Sequence, residues 1–149
     1  MVSPFDLKSA LLAKHAQHIV LIHFPIALFL AAVLFDCLAQ WRKNKTLESA
    51  AYFNLLLAAI STVPVVLTGL AAWQWALEGQ KLKGVLLMHL VLGCVSAVLI
   101  WLAFLQHRRL RRSSEALSSR FRLVFEGLAV LVVGLTAHLG GFLSGMNGA

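Results

Sequence analysis

Four long apolar runs alternate with short polar, mostly basic segments along the chain. They extend from about His18 to Gln40, Ala50 to Ala76, Gly84 to Gln106 and Leu123 to Gly145. Each is longer than the roughly 20 residues an α-helix needs to cross a hydrocarbon core of about 30 Å. Backbone groups in lipid must be satisfied within their own segment, so the runs are predicted as helices. No alternation of polar and apolar residues suggests barrel strands, and strong tandem repeats and low-complexity tracts are absent. The fold expected is all-α: an integral membrane four-helix bundle, up-down, over residues 18–149. Residues 1–17 precede it as a short interfacial segment. Within them Pro4 to Gln17 reads as amphipathic, with Leu7, Leu11 and Leu12 on one face and Lys8 and Lys14 off it. Such a segment is expected to lie on the outer surface of the membrane. Asp6, the late apolar run and the lack of a small-residue cleavage site argue against a cleavable signal.

Composition supports the membrane reading. Of 149 residues 60% are hydrophobic and only 13% charged, against about 25% charged in ordinary soluble domains. The mean hydropathy is +0.83. A soluble domain of this length has too much surface to hide that many apolar side chains. The net charge of +7 does not point to nucleic acid, because the charges fall in short blocks between the apolar runs. Nine basic residues, Arg42, Lys43, Lys45, Arg108, Arg109, Arg111, Arg112, Arg120 and Arg122, lie in the first and third loops. Lys8, Lys14, Lys81 and Lys83 lie on the other side. The positive-inside rule therefore predicts that both termini and the second loop face outward. Trp41 and Trp101 near inner ends, with Trp73 and Trp75 near an outer end, fit aromatic belts.

With that topology, histidines from three helices fall in one layer. His23 lies five residues inside the first span, His89 five inside the third, and His138 seven before the end of the fourth. At about 1.5 Å per residue these depths are about 7 to 11 Å from the outer edge. His15 and His18 lie just above the layer. His15 reads as a surface residue and His107, beside the inner arginines, as an interfacial one without a site role. Ionisable residues inside a bilayer face the bundle interior, and neutral imidazole binds transition metals and haem iron. In an up-down bundle the first and third spans are diagonal, so His23 and His89 are the expected axial pair. His138 and His18 are the substitutes. His18 and His23 are about 140° apart on a helix, so both contribute only if the helix bends at Pro25. The plainer reading makes each histidine a helix–helix hydrogen-bond partner. Asp36 and Glu126, near inner ends, are expected to pair with loop arginines. Cys37 and Cys94 differ in depth, which argues against a disulfide. No Cys-x-x-Cys-His element is present, so c-type haem attachment is excluded. No nucleophile–base pair, phosphate loop or His-Glu-x-x-His pattern points to hydrolytic chemistry.

The stretch His18-Ile-Val-Leu-Ile-His23-Phe-Pro-Ile-Ala-Leu resembles the first-span signature of small bacterial membrane proteins catalogued as a domain of unknown function, number 2231. Asp36, His89 and the ending Thr136-Ala137-His138-Leu139-Gly140-Gly141-Phe142-Leu143 are similar too. Members often carry Trp where this chain has His138, which would mark a subgroup with an extra ligand. Some members are fused to c-type cytochromes or other redox modules. The resemblance implies a multi-pass protein of a bacterial inner membrane, with electron transfer at the outer face.

Residues and resemblance together lead to a haem b-binding electron-transfer subunit of an oxidoreductase complex. It would link a quinol or membrane partner to an extracytoplasmic redox protein. A structural subunit of a membrane complex without cofactor is the first alternative. A copper or zinc site formed by His23, His89 and His138 is the second.

Overall fold

The computed structural model describes residues 16–76, 78–79, 81–112 and 119–144. They form four helices: α1 (Ala16–Arg42), α2 (Lys45–Ala76), α3 (Gly84–Arg112) and α4 (Ser119–Leu143). All four are long and apolar enough to cross a membrane. Of the expected interfacial segment, residues 1–15 lie outside the described residues, and Ala16 and Gln17 belong to α1. The helices are longer at the basic end than the apolar runs suggested. α3 continues through Arg108 to Arg112, where cations complement the negative helix C-terminus. α2 begins five residues early because Asn44 caps it. The Asn44 Oδ1 accepts hydrogen bonds from the amides of Thr46 at 2.8 Å and Leu47 at 3.3 Å. Lys43, at a φ of 50°, makes the tight reversal from α1. α1 runs unbroken through Pro25, and α2 through Pro64.

Each helix packs on its sequence neighbours, and α4 closes the ring against α1. This is the up-down order, with α1 diagonal to α3. The core lies towards the basic half and is made largely of small residues: Ala32, Ala51, Ala58, Ala59, Ala103 and Ala129 are fully buried, around Phe29 and Leu55. Small side chains let membrane helices approach closely and gain dispersion contacts where lipid gives no hydrophobic drive. Large apolar residues point outward instead, among them Leu67, Val124 and Leu131.

The two hairpins, α1–α2 and α3–α4, are structural repeats offset by 71 residues. Buried positions match across that offset: Pro25 with Ser96, Phe29 with Ile100, Ala32 with Ala103, Asp36 with His107, Leu55 with Glu126, Ala58 with Ala129 and Thr62 with Val133. In the letters the match shows at His18-Ile-Val-Leu with His89-Leu-Val-Leu, Ala32 with Ala103, Ala58 with Ala129 and Gly69 with Gly140, and elsewhere it preserves burial without residue identity.

Candidate functional site

Away from the small-residue core, the hairpins part around a cavity of about 320 Å³. Side chains of all four helices line it, mostly apolar, including Ile22, Val66, Leu90 and Ala137. Two imidazoles, His18 from α1 and His89 from α3, also line it. They occupy equivalent repeat positions and are held in equivalent ways. His18 Nδ1 donates to the Val65 carbonyl of α2 at 3.1 Å, with Thr68 Oγ1 at 3.3 Å. His89 Nδ1 donates to the Thr136 carbonyl of α4, also at 3.1 Å. Each ring lies against a glycine one turn beyond its carbonyl partner. A Cβ at Gly69 would come within 2.9 Å of His18 Cε1, and one at Gly140 within 3.1 Å of His89 Cε1. The glycines are therefore the seats of the two rings.

A carbonyl accepts only, so the proton of each neutral ring is on Nδ1 and the Nε2 lone pair is free. This is the outer-shell arrangement that orients imidazole ligands in metal and haem sites. Ser96 Oγ and Thr136 Oγ1, 2.9 Å apart, add a polar patch deeper on the wall. Among the described residues no Asp, Glu, Lys or Arg lines the cavity, and Leu82, flanked by Lys81 and Lys83, borders it.

The histidines expected to share a site are placed differently. His89 is in the cavity, but its diagonal partner is His18. His23 is exposed on the other side of α1, its Nδ1 bonded to the Ile19 carbonyl at 2.7 Å. α1 does not break at Pro25, so only one of the two can face inward, and starting the helix at Ala16 gives that place to His18. His138 lies away from the cavity lining as well and stacks edge-on against Phe142 at 5.1 Å. A three-imidazole site from His23, His89 and His138 is not brought together.

A second polar cluster lies at the basic end, and sequence reasoning read only part of it. Asp36 pairs with a loop arginine, but with Arg122 and inside the bundle: Arg122 Nε and Nη2, on a side chain 13% exposed, donate to the two oxygens of the fully buried carboxylate at 2.9 and 2.8 Å. Gln40 Nε2 adds a third bond at 2.7 Å. Glu126 pairs with His107, not with an arginine. His107 Nε2 and Glu126 Oε1 are 2.8 Å apart, and both residues are buried. The interfacial reading of His107 is thus corrected. The signal was the helical spacing of the buried face of α3: Ser96, Ile100, Ala103, Phe104 and His107. The neighbouring arginines masked it. Trp101 departs from the belt reading too, since its indole N–H donates to Thr62 Oγ1 within the bundle.

Among known proteins, the family model described as "Predicted membrane protein (DUF2231)" matches residues 14–148. No curated protein and no solved structure matches the chain.

Proposed function

Since the chain belongs to this family of predicted membrane proteins, DUF2231, and is a multi-pass four-helix bundle, we propose that it is a haem b-binding electron-transfer protein with His18 and His89 as axial ligands. One observation carries this reading. Two imidazoles on diagonal helices, 71 residues apart in the chain, line one apolar cavity, each with Nδ1 fixed to a carbonyl of the neighbouring helix.

The fit to a flat, largely apolar macrocycle rests on three features. The cavity is large enough for a small-molecule or cofactor site. Its lining carries no competing charge among the described residues. Lys81 and Lys83 stand at the same end, suited to the carboxylates of a macrocycle. Low-spin haem b between two imidazoles would supply one-electron transfer, with no open position for oxygen chemistry. In this reading His18 and His89 set the position of the redox centre, Gly69 and Gly140 allow the rings to reach it, and the apolar lining keeps water away. The redox partner is an extracytoplasmic protein such as a c-type cytochrome, and the reductant a quinol or a membrane subunit.

The hydrogen bonds of the same imidazoles also favour a second reading, a cofactor-free structural subunit, because each bond ties a helix to its neighbour. Optical spectra of the detergent-purified protein, oxidised and dithionite-reduced, separate the two. The expected result is a sharp Soret band with reduced α and β bands, lost in His18→Ala and in His89→Ala and kept in His23→Ala and His138→Ala. A colourless protein that takes up no added haemin would overturn the haem reading.

A further inference from the structure

The basic-end cluster lies outside the cavity and has no part in the haem reading. It brings two carboxylates, an imidazole and a guanidinium together in the low-dielectric interior. One ligating atom each of Asp36, His107 and Glu126 lies within 4.8 Å of the others. Ionisable groups at membrane depth are costly and mark pathways for ions or protons. The Asp36–Arg122 pair is complete in itself. Both Asp36 oxygens accept from the guanidinium, and Gln40 takes a further lone pair. A metal ion would have to displace Arg122 and then endure its charge. Glu126 is different. Its Oε1 meets His107, but its Oε2 is buried with no hydrogen-bond partner. An orphaned carboxylate oxygen in a membrane interior is expensive unless something small and positive can be held there.

A polar pocket of about 290 Å³ opens beside Asp36 and Arg122, lined also by Gln40, Asn44, Lys45 and Glu48. Above the cluster the wall turns apolar, with Phe29, Leu55 and Phe104. The pocket thus reaches Asp36, which lies next to Glu126 and His107, and apolar side chains stand between the cluster and the histidine cavity. Ile100 at the cavity floor lies about two helical turns from His107 along α3.

We propose that Glu126 and His107 form a proton-binding site served from the basic face through the pocket beside Asp36. Binding adds one proton to a carboxylate and a neutral imidazole, taking the pair from one negative charge to none. The proton comes from water at the basic face and returns to it, and no bond other than O–H or N–H forms or breaks. The charged and titratable groups around the Glu126–His107 pair are Asp36 and Cys37 from α1 and Arg122 from α4. α2 presents Ala51, Tyr52, Leu55 and Ala58 to the core there, with Lys45 and Glu48 at the pocket mouth. The Asp36–Arg122 pair holds its own net charge at zero, so the Glu126–His107 pair is free to change.

The test is infrared spectroscopy of the full chain in lipid nanodiscs, titrated with acid and base, with ¹⁵N-imidazole magnetic resonance on the same preparation. The expected result is a reversible proton change on this pair, read as a buried carboxylic C=O band lost in Glu126→Gln or as a His107 imidazolium signal. The band shifts on transfer to D₂O, and Gln40→Leu, which lines the pocket with an apolar side chain, slows that shift. Should Glu126→Gln fail to fold, ¹³C-carboxyl resonance of glutamate-labelled wild-type protein gives the reading. A Glu126 carboxylate and a His107 ring that both keep one protonation state wherever the protein stays folded would overturn the proposal.

Discussion

Removing the Asp36 side chain would leave the Arg122 guanidinium inside the bundle with no carboxylate to face. Breaking a buried pair costs far more than the pair contributes net, about 3–5 kcal/mol, because the remaining charge stays buried. Asp36→Ala is therefore expected to lower the thermal unfolding midpoint in detergent sharply. The double variant Asp36→Ala with Arg122→Leu should recover most of the loss. Equal loss in single and double variants would mean that Arg122 escapes to the surface when unpaired. Residues of this kind were half-legible. Topology placed Asp36 among the arginines of the basic end, but not against Arg122 in particular, which stands nearer Glu126 in the sequence. That Glu126 would choose His107 could not be read, because pairing depends on the rotation of α3 and α4 about their axes. A rotation of one residue, about 100°, moves a side chain from core to lipid. The same sensitivity separates His18 from His23. Depth along the helix was readable, but the angle depended on where α1 starts and on its passing Pro25 straight.

At the scale of elements, the hairpin is the unit. The bonds from His18 to Val65 and from His89 to Thr136 lie within hairpins, whereas Asp36–Arg122 and Trp101–Thr62 join one hairpin to the other. Both kinds are present, so the α2–α3 connection should be dispensable once the helices are inserted. Residues 1–79 and 80–149 expressed together as separate chains are expected to copurify, and Asp36→Ala in the first half should weaken their association. Failure of wild-type halves to copurify would mean that the connection itself holds the bundle together. The four spans and their order were plain in the hydropathy, because length and apolarity alone decide whether a helix can span. The ends were less so. Arginines at the end of α3 and the Asn44 cap of α2 extend helices beyond the apolar runs. The repeat escaped because its matched positions, such as Leu55 with Glu126, share burial but not chemistry.

For the whole molecule the open question of consequence is which way the bundle faces. The structure sharpens the charge argument by showing which cations are spent within the protein. Arg122 is neutralised by Asp36, and Lys45 pairs with Glu48 at 3.0 Å. Setting both aside still leaves Arg42, Lys43, Arg108, Arg109, Arg111, Arg112 and Arg120 at the basic end, against Lys8, Lys14, Lys81 and Lys83 at the other. The bias that governs insertion survives, so the basic end is expected in the cytoplasm. In a background carrying Cys37→Ser and Cys94→Ser, a membrane-impermeant maleimide should label Lys81→Cys in intact cells and reach Arg109→Cys only after permeabilisation. That outcome puts the imidazole cavity within reach of extracytoplasmic redox proteins and opens the Asp36 pocket to cytoplasmic protons. Labelling in the opposite order would turn the cavity inward and remove extracytoplasmic partners from the functional reading. The hydrogen bonds that seat His18 and His89 would be the same in either orientation.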